Sequence, residues 1–142
     1  MDEIDEDIIA AVNSGTIRYS RIAKRLGLPL STVHFRVKRL EREKVIKYYK
    51  GEIDWKNAGL SLTAFISITI DVDLLKKLRK SQKKLLDELL DIPYVQEGYV
   101  ITGDADILIK VVAKDSEHLG NMLMKQIDSK EGIVRTKTII AL

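Results

Sequence analysis

Apolar residues recur along the chain with two different periods, and the change of period divides it. Over the first fifty residues the spacing is helical. Ile4, Ile8, Ile9 and Val12 fall at i, i+4, i+5 and i+8 and form one stripe along a first helix, which "NSG" at 13–15 ends. A second helix is predicted over Tyr19 to Leu26, with Ile22, Ala23 and Leu26 inward and Gly27 at its C-terminal cap. After a short turn, Pro29 fits the start of a third helix, where its missing N–H would have no partner in any case. Val33, Val37 and Leu40 mark the buried side of that helix. Two short helices joined by a tight turn containing Gly form a helix-turn-helix.

The period then shifts. "VIKYYKGEID" at 45–54 reads as a strand leaving the helical domain, wing-like in outline, and "WKNAGLS" as a linker that Trp55 anchors. "LSLTAFISITI" alternates Leu62, Ala64, Ile66, Ile68 and Ile70 against Ser61, Thr63, Ser67 and Thr69, which predicts a strand. One helix is expected from 73 to 91, with Leu74, Leu78, Leu85 and Leu89 on one face and Leu75, Leu86 and Leu90 broadening it. That stripe is too short for a coiled coil, so packing on a sheet is the expectation. "YVQEGYVIT" and "DILIKVVA" are strands joined by the hairpin signal "GDA". Asp115 caps a helix burying Leu119, Met122, Leu123 and Ile127, and "GIVRTKTIIAL" closes the series. The expected fold is α+β: a helix-turn-helix, winged-helix-like domain at 1–50, a connecting strand and linker at 51–60, and a ferredoxin-like βαββαβ domain at 61–142.

Charge changes the picture by where it sits. Residues 1–17 hold five acids and no Lys or Arg, 18–50 hold eleven bases and two acids, and 51–142 hold thirteen bases and fourteen acids. The excess positive charge thus falls in the helix-turn-helix, as expected of a phosphate-binding surface. The 142-residue chain has no Cys, which excludes disulfides and thiolate metal sites. "MDEIDEDII" lacks the basic start of a signal peptide, and no apolar run reaches the length of a membrane span. A cytoplasmic protein that does not engage membranes is expected.

On a helical wheel, Ser31, Phe35, Lys38, Arg39 and Arg42 centre opposite the buried side of the third helix, with Thr32 and Arg36 at the flanks. Arg can grip guanine bidentately, Ser or Thr can serve several bases, and Phe can touch a thymine methyl. Exposed Phe35 has little reason to sit on a merely solvated face. These residues are therefore the candidate contacts to double-stranded DNA. His34 either touches DNA from the side of the helix or faces solvent, while His118 is read as structural or solvated.

Five motifs now fall in order: "MDEIDEDII", "LGLPLSTVHFRVKRLE", "VIKYY", "VITGDADILIKV" and "GIVRTKTIIAL". Together they resemble the leucine-responsive regulatory protein/AsnC family, the feast/famine transcription regulators. The resemblance implies DNA binding by the N-terminal domain, and dimers built through the sheets that often assemble into tetramers or octamers. It also implies a small amino-acid effector held between dimers by Thr102, Gly103, Asp104 and Asp106 of the "TGDAD" loop and by Thr136 and Thr138 of the last strand. Three positions depart from the family pattern. Pro29 replaces the usual capping Ser, Lys44 stands where Gly is common after the third helix, and Arg18 stands where Ser or Thr is usual.

Two readings of "TGDAD" stand side by side. Gly and Asp are favoured in any tight hairpin, or the loop's backbone holds a carboxylate while an acid accepts from an ammonium. Asp104 and Asp106, with no His or Cys beside them, do not make a metal shell. No cofactor is implied, and no nucleophile, phosphate loop or acid/base pair suggests an enzyme. The leading expectation is a sequence-specific regulator tuned by an amino acid. Its rival is a DNA-organising protein that oligomerises and bends or wraps DNA without an effector.

Overall fold

The structure is a computed structural model that describes residues 1–142. Its chain divides into two compact units, Met1–Glu52 and Ile53–Leu142.

The first unit contains three helices: α1 (Glu3–Asn13), α2 (Tyr19–Leu26) and α3 (Leu30–Arg42). Their apolar stripes meet in a small core of Ile8, Ala11, Ile22, Ala23, Val33, Val37, Leu40 and Ile46. Asp2 opens α1 with a capping box. Its carboxylate accepts from the Asp5 N–H at 2.9 Å, and the Asp5 carboxylate accepts from the Asp2 N–H at 3.3 Å. Pro29 occupies the N-cap of α3 and offers no side-chain bond. All three helices end in the same way, with one residue in the left-handed region and two backbone bonds closing the last turn. Gly15 and Gly27 fill that place after α1 and α2, but Lys44, at φ 59°, fills it after α3.

The predicted strand over 45–54 does not form. A strand needs a ladder, and nothing in the chain aligns with this segment. Instead the N–H of Ile46 bonds back to the Leu40 carbonyl at 3.2 Å and its side chain enters the helical core. The Tyr49 hydroxyl donates to Glu41 at 3.0 Å. Without that strand the unit is a helix-turn-helix with no wing of its own.

The second unit follows the βαββαβ order. Its strands are β1 (Leu62–Ile70), β2 (Val95–Val100), β3 (Ile107–Ala113) and β4 (Ile133–Ile140), lying side by side as β2-β3-β1-β4. Every pairing is antiparallel, which gives the ferredoxin-like arrangement. One face of the sheet, carrying Ala64, Ile66, Ile68, Ile107 and Ile109, packs under the helices through Leu75, Leu85, Leu89, Leu119, Met122 and Ile127.

The single helix expected over 73–91 is in fact two, α4 (Val72–Lys77) and α5 (Gln82–Leu90). The break comes at Arg79, which takes φ 52°, while the N–H of Lys80 bonds to the Leu75 carbonyl at 2.9 Å. The Ser81 hydroxyl then accepts from the Lys84 N–H at 3.0 Å and starts a new helix. The bend buries Leu75, Leu85, Leu86 and Leu89 and leaves Leu74, Leu78 and Leu90 exposed, so the predicted stripe is only partly the core face. Helix α6 (Ser116–Met122), capped by Asp115, widens into a π-turn at Leu123–Ile127. No helix is long and apolar enough to cross a membrane.

Candidate functional site

Helix α3 shows outward what its wheel presents there. Ser31, His34, Phe35, Lys38 and Arg42 are exposed, and Phe35 keeps 62% of its surface. Thr32 is half-buried at the flank. The His34 ring stands edge-on to Tyr19 with 5.4 Å between centroids, which orients it toward α2. An open hollow beside it is lined by Arg18, Tyr19, Ser20, Leu30, Ser31 and His34. Arg18 caps α2 with no side-chain bond, and Pro29 does the same for α3. The first N–H groups of both helices are thus free to meet an anion at the edge of that hollow.

Arg36 and Arg39 behave differently. Both turn toward α1, where Asp5 is 1% exposed. Arg36 donates to Asp5 at 3.2 Å and also to Asp2, and Arg39 donates to the other oxygen of Asp5. Their side chains retain 20% and 32% of their surface. Arg39, placed among the outward residues by the wheel, has swung to the flank to reach Asp5. Arg36 holds the Asp2 carboxyl down at about 2, well below its ordinary range, and the Asp5 N–H bonded to that carboxylate adds to the effect. In return these two carboxylates raise the Arg36 guanidinium, Asp2 first. Sequence reasoning missed this network. The available signal was Asp5 itself, an acid three positions before Ile8 and therefore on the buried stripe of α1.

The loop after β2 turns at Gly103, whose φ of 118° suits glycine alone. Thr102, Gly103 and Asp104 are exposed, and the Asp104 carboxylate has no partner within the chain. Asp106 is occupied. Its carboxylate accepts from the Ile70 N–H and its own N–H donates to the Ile68 carbonyl, each at 2.9 Å. It tethers the loop to the end of β1. Thr136 and Thr138 pair in register with Ile68 and Ile66, so they lie on the helix side of the sheet, along its β4 edge. Thr136 donates to Asp128 at 3.1 Å, and Thr138 is exposed. Ile68 also pairs with Ile107, which places the loop and Thr136 at the same level with one strand between them, about 10 Å apart.

His118 is structural. Its Nδ1 accepts from the Lys114 N–H at 2.9 Å, and its ring meets Tyr94 edge-on. Trp55 is half-buried, and its carbonyl closes a turn with the Leu60 N–H at 2.8 Å.

Comparison with known proteins covers both units. Residues 63–142 match the profile described as the Lrp/AsnC ligand binding domain, and residues 1–47 match a winged helix-turn-helix DNA-binding profile. The chain is 36% identical to the transcriptional regulator FL11 of Pyrococcus horikoshii, over 100% of this chain and 89% of the relative. It is 34% identical to FL11 of Pyrococcus furiosus with the same coverage. Among solved structures it is similar to E. coli AsnC, with a TM-score of 0.78 and 26% identity over 100% of this chain and 92% of that one. It is also similar to a feast or famine regulatory protein of M. tuberculosis complexed with L-methionine, with a TM-score of 0.80 and 27% identity over 99% and 91%.

Proposed function

The chain belongs to the Lrp/AsnC family of DNA-binding transcription regulators, and from that premise we propose that it is a sequence-specific oligomer whose hold on DNA is tuned by a small amino acid. The observation that carries the DNA reading is the outward face of α3, where Ser31, His34, Phe35, Lys38 and Arg42 are exposed together on the basic unit. Ser31, Thr32, His34 and Phe35, in the N-terminal half, approach base edges in the major groove. Lys38 and Arg42 follow the phosphates. Arg18 and the free N–H groups of α2 supply a further phosphate contact. Arg36 and Arg39 contribute chiefly by fixing α3 against α1, and their remaining N–H groups add charge at the groove's edge.

Self-association is supported by the sheet face that no helix covers, where Phe65 lies between Ile139 and Lys110 in register, with Leu108 nearby. A second copy laid on that face buries these apolar groups and presents two α3 helices to successive major grooves about 34 Å apart. Further assembly into tetramers or octamers brings the effector loop against a neighbouring dimer. The Gly103 backbone then receives the amino acid's carboxylate and Asp104 its ammonium, with Thr138 at the far side. Asp106 and Thr136 hold the walls of the site, each already bonded within the chain. The complex of the M. tuberculosis relative with L-methionine makes an apolar amino acid a reasonable first probe.

The test is a footprint of the purified protein on DNA upstream of its own gene, at fixed salt, with and without pooled amino acids. A discrete, phased footprint that shifts with the pool supports the tuned regulator. A spreading footprint indifferent to the pool overturns the effector part and leaves the DNA-organising reading.

A further inference from the structure

Between residues 74 and 86 the sequence "LLKKLRKSQKKLL" carries six basic residues and no acid. The structure folds this stretch into the elbow between α4 and α5, far along the chain from the helix-turn-helix. Lys80 is spent on an ion pair with Glu88. Lys76, Lys77, Arg79, Lys83 and Lys84 are exposed, and none has a carboxylate within ion-pair distance.

Helix energetics explains only part of this cluster. Lys76 and Lys77 lie in the last turn of α4, where the helix dipole favours cations. Lys83 and Lys84 lie in the first turn of α5, where it disfavours them, and that turn has no acid to compensate. Arg79 takes φ 52° at the point of the elbow, a conformation that favours Gly, and its side chain bonds to nothing. Lys84 has a partial return in Glu88 one turn on, whose carboxyl Lys80 chiefly and Lys84 in part hold low. Arg79 and Lys83, however, stand where local structure opposes them, beside neighbours of the same sign. Residues that violate local preference without a local gain mark a function elsewhere.

We propose that the α4–α5 elbow is a second DNA-contacting surface, which grips the phosphate backbone of duplex outside the segment read by α3. Duplex DNA is the occupant because this chain already holds DNA as a family regulator, a premise on which the proposal rests. Five cations without aromatic or hydrogen-bonding partners suit a regular line of phosphates and carry no means of reading bases. The surface adds affinity and salt dependence to long DNA while leaving operator choice to α3.

The experiment uses the full chain and two duplexes. One is limited to the footprint, and the other extends it by about four helical turns, roughly 40 base pairs, on each side. Wild type is expected to prefer the long duplex, with a steeper fall of affinity with salt. The variant K76S/K77S/R79G/K83S/K84S should bring the long-to-short affinity ratio to about one. Its salt slope on long DNA should be shallower by about 0.9 for each phosphate the elbow no longer neutralises, up to about 4.5 for each protomer whose elbow is engaged. R79G alone, which relieves the left-handed strain and so preserves the fold, should lower that slope by about 0.9 for each engaged protomer. A wild type without preference for long DNA overturns the proposal. So does a five-site variant with an unchanged ratio, or one that loses both duplexes equally while R79G changes nothing. Failure of wild type on the short duplex alone counts against the reading of α3, and the elbow is then judged on the long duplex.

Discussion

The two units place charge in opposite relations to their cores. In the first, eight buried apolar residues enclose a small core, and the carboxylate of Asp5 is buried beside it against Arg36 and Arg39. In the second, seventeen buried apolar residues form the core, no charged side chain is buried, and the largest run of like charge lies outside at the elbow. The difference bears on how the arginines of α3 are interpreted. Two side chains of the type expected to touch DNA hold α1 to α3, so removing either one loosens the packing of α3 whatever it does to DNA binding. Elbow cations can be removed without disturbing the core beneath them.

Ile66→Ala should have the largest effect, because Ile66 is fully buried in the middle strand pair of the second unit. A cost of about 4 kcal/mol is expected from the lost transfer energy and the remaining cavity. Hydrogen exchange should show the loss in β1, β3 and β4 while protection in α1–α3 stays unchanged. Loss of protection in both units would remove the basis for contrasting them.

Asp5→Ala is the counterpart in the first unit. It leaves two guanidinium groups facing a buried gap, at an expected cost of about 3 kcal/mol. Replacing Asp5, Arg36 and Arg39 together with apolar residues of similar size should recover most of that, because the desolvation cost disappears with the charges. Denaturant unfolding of the single and triple variants checks both expectations. If Asp5→Ala is tolerated to within about 0.5 kcal/mol, the arginines are free for DNA and the distinction between the units fails.

The same contrast explains what the sequence disclosed. Strand β1 was legible because its alternation is a two-residue signal set by the buried face, as with Ala64, Ile66 and Ile68, whereas β2 and β3 were found through the hairpin signal between them. Helix α3 was legible because Val33, Val37 and Leu40 fix its inward side. The break at Arg79 was not, since an arginine in a left-handed cap leaves the leucine period intact and only Ser81 hints at a restart. The strand expected over 45–54 failed because alternation predicts a face but not a partner. At the candidate site, exposed residues such as Phe35 and Lys38 could be placed from the wheel alone. The roles of Arg36, Arg39 and Asp106 depend on partners 31 to 36 positions away, and periodicity carries no information at that range.

Lys44→Gly tests a smaller effect. Lys44 closes α3 at φ 59°, with its N–H bonded to the Glu41 carbonyl at 3.0 Å and the Val45 N–H bonded to Leu40 at 2.9 Å. Glycine relieves the left-handed strain and should stabilise the first unit by about 1 kcal/mol. Arg79→Gly should do the same in the second unit. DNA affinity separates them: Lys44→Gly removes a charge beside α3 and weakens short and long duplexes alike, whereas Arg79→Gly weakens only the long one.

The smallest effect concerns Asp2, whose side chain keeps about half of its surface and whose pair with Arg36 is screened by salt. Its carboxyl titrates at about 2 in the folded chain against an ordinary 3.8, chiefly because Arg36 donates to it. A carboxylate lowered on folding contributes stability that is complete above the unfolded value and lost as pH falls toward the folded one. Wild type should therefore lose a little more stability than Asp2→Asn between about pH 4 and pH 2, and the two profiles should run parallel above that range. Asparagine keeps the N-cap of α1, so the comparison isolates the charge. The gap should narrow in high salt and should be confined to exchange in α1 and α3. An acid profile that Asp2→Asn leaves unchanged at low salt would mean that Arg36 is held by Asp5 alone. Asp2 would then serve only as a cap, and the charge coupling of this unit would reduce to its one buried carboxylate.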